Sequence, residues 1–182
     1  MSYAGTAGGD QSKGTSARWS RPRPGRVKVN AAAAFFPDTS STGVGVVARD
    51  ERGEVILASG RALFNCADAE EAECLACKEG LNLAMQWIPQ PITLEMDCRS
   101  VCSALTSDKE NRSRIALLLR EIKELAVELR EVEFIHCYRS QNMVSHVLGN
   151  RACVDSFAKV WLHAAPEFVA TALAMDCNMS EN

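Results

Sequence analysis

The hydrophobic period of this chain changes once, near residue 67, and that change limits the folds open to it. Before it, apolar residues run in strand-like segments separated by turn chemistry. Arg26–Phe36 reads as a strand and Pro37–Gly43 as a turn-rich connection. Val44–Arg49 is a second strand, Asp50-Glu51-Arg52-Gly53 a tight turn, and Glu54–Leu63 a third strand. Three strands with short connections specify an antiparallel meander. After the change, Ala69, Ala72, Leu75, Ala76, Leu83, Ala84 and Trp87 recur at helical spacing. Asp68 and Glu71 form a capping pair, and Pro89 and Pro91 end the helix. Ile92–Met96 reads as a strand, Cys98–Leu105 and Arg114–Leu129 as helices, and Val132–Tyr138 as a fifth strand. Gln141–His163 reads as a helix broken near Gly149. The order β-β-β-α-β-α-α-β-α predicts an α/β fold: a five-stranded mixed sheet with helices on both faces.

Length and composition fit one folded unit. The chain has 182 residues, 47% hydrophobic and 24% charged, with net charge −3. No global basic field advertises nucleic acid, and no apolar run is long enough for a membrane helix. Residues 1–18 are rich in Gly, Ser, Thr and Ala and are expected to be a disordered leader. The domain is expected over 19–176, with a short tail at 177–182. Eight cysteines and no signal-peptide pattern predict reduced thiols and an intracellular site, nuclear or cytoplasmic. A monomer is expected. Cys74-Leu75-Ala76-Cys77 lies inside the helical pattern without a second pair, so buried thiols are the reading there.

Two carboxylates fall where chemistry is often placed. Asp97 ends the Ile92–Met96 strand, and Glu73 lies in the first turns of the long helix. Taken alone, Asp97 reads first as the N-cap of the following helix, and Glu73 as a solvated side chain. If they converge, they have the oxygen donors that divalent cations need in phosphodiester hydrolysis.

Their context is a series of ordered motifs. Lys28-Val29-Asn30 is followed by Gly43-Val44-Gly45-Val46-Val47-Ala48-Arg49-Asp50 and by Glu73 with Lys78-Glu79-Gly80-Leu81. Leu94-Glu95-Met96-Asp97-Cys98 and Arg139-Ser140-Gln141-Asn142-Met143-Val144-Ser145-His146 complete them. Together these resemble the plant ribonuclease H-like domain, related to the RNase H region of non-LTR retrotransposon reverse transcriptases. The resemblance runs from about Trp19 to Asp176. It implies the ribonuclease H-like fold, RNA/DNA hybrid or RNA as ligand, and Mg²⁺ or Mn²⁺ as cofactor.

The four acidic positions of the resembled site carry over one by one. The first stands in the strand after Lys-Val-Asn, and there this chain has Ala31-Ala32-Ala33-Ala34, so Ala32 replaces an Asp. The second and third fall on Glu73 and Asp97, the implied metal ligands. The fourth falls on His146, a group suited to moving protons or positioning water. A methyl group at position 32 cannot ligate a cation, so activity is expected to be weak or absent. Asn65, Arg139 and Asn142 are the nucleic-acid contacts that the resemblance favours, and Asn30 and Arg99 are further donors. The alternative expectation is a non-catalytic module for protein interaction or regulation, a domesticated retrotransposon fragment.

Overall fold

The computed structural model describes residues 17–129 and 131–177. Most of the expected leader and tail lies outside the described residues. The long meander forms as anticipated: β1 (Val27–Phe36), β2 (Ser41–Arg49) and β3 (Val55–Leu63) pair antiparallel. Beyond β1, β4 (Ile92–Met96) and β5 (Val132–His136) add in parallel. Parallel neighbours need crossovers, which the helices α1 (Ala69–Trp87), α2 (Arg99–Thr106) and α3 (Ala116–Leu129) supply.

The sheet has six strands, in the order β5-β4-β1-β2-β3-β6, and not five. The extra strand is β6 (Ala158–Leu162), antiparallel to β3. Its residues were expected to continue the last helix. That helix, α4 (Met143–Val154), instead runs unbroken through Gly149 and stops at Val154. Ser156 then takes a left-handed φ of 52°, turning the chain back to the sheet edge. A last helix, α5 (Ala170–Cys177), follows a 3₁₀ turn at Glu167–Val169.

Helices cover both faces. Under α1 and α3 lies the main core, with Val27, Val29, Ala31, Val46, Leu57, Leu81, Leu94 and Ile122 buried. On the opposite face, α4 and α5 close over Val47, Ala58, Val144, Leu148 and Val169. The alanine run of β1 holds as strand because it pairs residue by residue with β2 and lies between helices on both faces; Ala31 and Ala32 are fully buried. Tertiary packing here overrides the weak strand preference of Ala. Asp68 caps α1 by accepting from the Glu71 N–H at 2.9 Å, while Glu71 Oε2 accepts from the Ala67 N–H at 2.8 Å. All eight cysteines are free thiols, and Cys74 and Cys77 lie on the buried side of α1.

Candidate active site

The site grows from the neighbouring, parallel strands β1 and β4. Their register pairs Asn30 with Glu95, and two residues further on Ala32 stands level with Asp97. Asp97 is the first residue past β4, where the chain leaves the sheet and a side chain can face a cleft. It does not cap α2: the N-cap residue is Cys98, without a side-chain capping bond. Its carboxylate turns towards α4.

The approach of α4 is set by missing side chains on β2. A Cβ placed on Gly43 would fall 1.7 Å from the Gly149 carbonyl oxygen, and one on Gly45 only 1.8 Å from that of Ser145. The helix therefore lies on bare strand backbone, and its first turn reaches Asp97. His146 Nε2 and Asp97 Oδ2 are 2.7 Å apart, and Asn142 Nδ2 donates to Asp97 Oδ1 at 3.2 Å. Asn142 Nδ2 also donates to the Ala31 carbonyl at 2.9 Å, and its Oδ1 accepts from Ser145 Oγ at 2.6 Å. Every polar group of the Asn142 amide is thus engaged inside the protein. Burial pushes the Asp97 carboxyl up, but the hydrogen bond and charge of His146, with Asn142, outweigh it and hold it below its ordinary value. An ionised carboxylate only accepts, so His146 Nε2 carries the hydrogen of their shared bond.

Glu73 approaches from α1 on the other side. Burial, with the charge of Asp97, pushes its carboxyl up to about 8, against the smaller pull of the Ala33 backbone and Arg139. Its Oε2 is buried without a hydrogen-bond partner. The two carboxyls thus diverge: Asp97 is the anion, and Glu73 is held largely neutral at neutral pH.

The remaining expected residues lie at different depths. Arg139 is exposed at the start of the 3₁₀ turn leading into α4, within electrostatic reach of Glu73. Asn65 is an exposed left-handed residue at φ 62° ahead of α1. Asn30, expected among the nucleic-acid donors, is buried; it donates to Glu95 and accepts from Trp19 and Arg49. Ser145, part of the last sequence motif, steadies Asn142 by donating to its backbone carbonyl and to its Oδ1.

These residues do not fit a two-cation centre. Ala32 brings no oxygen, each Asp97 oxygen already has a donor, and only the Glu73 Oε2 is orphaned. Among the described residues no group of three or more His, Cys, Asp or Glu side chains is arranged to hold a metal ion.

No curated protein sequence matches the chain. The N-terminal RNase H domain of Rv2228c from Mycobacterium tuberculosis superposes with a TM-score of 0.65 at 20% identity, over 72% of this chain and 95% of that one. RNase H1 from Halobacterium salinarum gives 0.62 at 23% identity, over 73% and 100%. LC11-RNase H1, isolated from compost by a metagenomic approach and solved in complex with RNA/DNA hybrid, gives 0.64 at 18% identity, over 71% and 98%. At such identities the likeness establishes the RNase H fold. Residues 30–152 match the reverse transcriptase-like family, and with more than half of its length in that match the chain belongs to this family.

Proposed function

We propose that this domain binds RNA/DNA hybrid, or RNA, and does not cleave it efficiently. The observation that carries the reading is Ala32: a buried methyl group level with Asp97, where the resembled hydrolytic site has a carboxylate. Family membership and a relative solved on an RNA/DNA hybrid support the choice of ligand. In the resembled enzymes Mg²⁺ or Mn²⁺ supplies the activated water and the charge for the leaving oxygen. Here Glu73 and Asp97 are what remains of its ligands, and His146 stands at the fourth position. Backbone and 2′-OH contacts, not base reading, are the expected mode of recognition. Arg139 and Asn65 are the proposed exposed donors, while Asn142 orders the site from within.

Binding and cleavage assays on one labelled hybrid test this. The expected result is binding at low salt, where phosphate contacts are strongest, with cleavage in Mg²⁺ below that of A32D/H146D by orders of magnitude. Efficient cleavage by the unmodified chain overturns the reading.

A second reading, a protein-interaction module, rests on a different observation. An apolar groove of about 260 Å³ lies between α4 and α5, lined by Met143, Val147, Phe168, Ala172 and Met175. Absence of hybrid binding at low salt would favour it.

A further inference from the structure

The candidate site fills its own anion with hydrogen-bond donors. Asp97 is the residual anion, and a divalent cation would need its oxygens. The same oxygens take hydrogen bonds from Asn142 and His146, both carried by α4. Neither donor is free to swing away. Asn142 is pinned by the Ala31 carbonyl and Ser145, the imidazole is buried, and the helix sits directly on β2 backbone. A cation entering here would displace a buried donor from Asp97 and meet one further carboxyl, Glu73, with a methyl group opposite.

Two arginines stand near site residues along the chain. Arg99 opens α2 two residues after Asp97, and Arg139 opens the turn that leads to α4. Both are exposed, and among the described residues neither takes part in an ion pair. Guanidinium groups suit phosphate through paired N–H donors.

We infer that Asn142 and His146 fill the Asp97 oxygens that a cation would need, so that the site is assembled without metal and the exposed Arg99 and Arg139 contact nucleic-acid backbone phosphates in a metal-independent way. The ligand in this inference rests on the reading under Proposed function; the exclusion of metal does not.

Two measurements on the unmodified chain separate the two parts. Mn²⁺ is titrated in the absence of nucleic acid and followed by electron paramagnetic resonance. Hybrid binding is followed by fluorescence anisotropy in EDTA and in Mg²⁺ at matched ionic strength. The expected results are no protein-bound Mn²⁺ and hybrid affinities that agree within about twofold in the two buffers. R139A should weaken binding about tenfold and lower the salt slope by about one contact. A32D/H146D, which replaces both departures with acids, should acquire Mn²⁺ binding and Mg²⁺-dependent hybrid affinity. Bound Mn²⁺ in the unmodified chain that is lost in D97N would overturn the exclusion of metal. A tenfold or greater requirement for Mg²⁺ in hybrid binding would overturn metal-independent recognition. If hybrid binds in neither buffer, the nucleic-acid ligand fails, and the Mn²⁺ titration still decides the role of His146.

Discussion

Arg49 and Asp176 meet as a buried ion pair across 127 residues of chain, with Nη1 and Oδ2 2.7 Å apart. The contact ties the last helix to the end of β2. Both groups lose hydration there: burial lowers the Arg49 guanidinium and raises the Asp176 carboxyl from their ordinary values, against their mutual attraction. Removing one partner leaves a buried charge alone, so D176A should cost about 3 kcal/mol or more in urea denaturation. The apolar double replacement R49M/D176L should cost less than D176A. A double variant less stable than D176A would mean that the pair stabilises beyond its desolvation.

Trp19 secures the other end of the chain on the same guanidinium. Its ring lies 3.7 Å from the Arg49 guanidinium carbon, and its Nε1–H donates to Asn30 Oδ1 at 2.9 Å. W19A should destabilise by about 3 kcal/mol through lost packing. W19F keeps most of the ring area and loses the hydrogen bond, for about 1 kcal/mol. Equilibrium unfolding of the two variants side by side separates stacking from hydrogen bonding.

Glu73 makes stability fall with pH across a defined window. Its carboxyl is raised from 4.5 to about 8, so between those values the folded chain binds more protons than the unfolded chain. Rising pH then favours unfolding. E73Q removes this penalty while keeping the shape. The variant should match the unmodified chain below pH 4.5 and gain on it as pH rises to about 8, by at most about 1.4 kcal/mol per pH unit. Melting temperatures of both proteins measured across that range give the difference directly.

Gly45 should tolerate no side chain. G45A pushes a methyl group into the Ser145 carbonyl, and the helix must lift from the sheet. Destabilisation of about 3 kcal/mol, at the top of the usual overpacking range, is expected in thermal denaturation. Any G45A protein that remains folded should also lose the His146–Asp97 bond, which is visible in the imidazole NMR shifts.

Much of this fold was legible because its signals are local. The strand-to-helix change of period, the Asp68 cap and the prolines after α1 are each written within a few residues. β6 was not legible: Ala158–Leu162 is short, and a strand at a sheet edge depends on β3, about a hundred residues away. The left-handed turn at Ser156 that creates it has no glycine to announce it. In the site, Glu73, Asp97, Ala32 and His146 were indicated by the resemblance of the ordered motifs; Asp97 meets His146 at 2.7 Å, and Glu73 lies within electrostatic reach of Asp97. What spacing could not give was occupancy. That Asn142 faces inwards and that Asn30 is buried under Trp19 both follow from long-range hydrogen bonds, to which no local pattern corresponds.

The glycines of β2 draw a line between what this domain can change and what it must keep. The polar groups of its cleft sit in side-chain tips, and β1 stays paired with β2 through the bare methyl group of Ala32. Its geometry is written in atoms that are absent, at Gly43 and Gly45, and an absence cannot be substituted conservatively. A cleft side chain can therefore be replaced without moving the helix, whereas any side chain at Gly43 or Gly45 must move it.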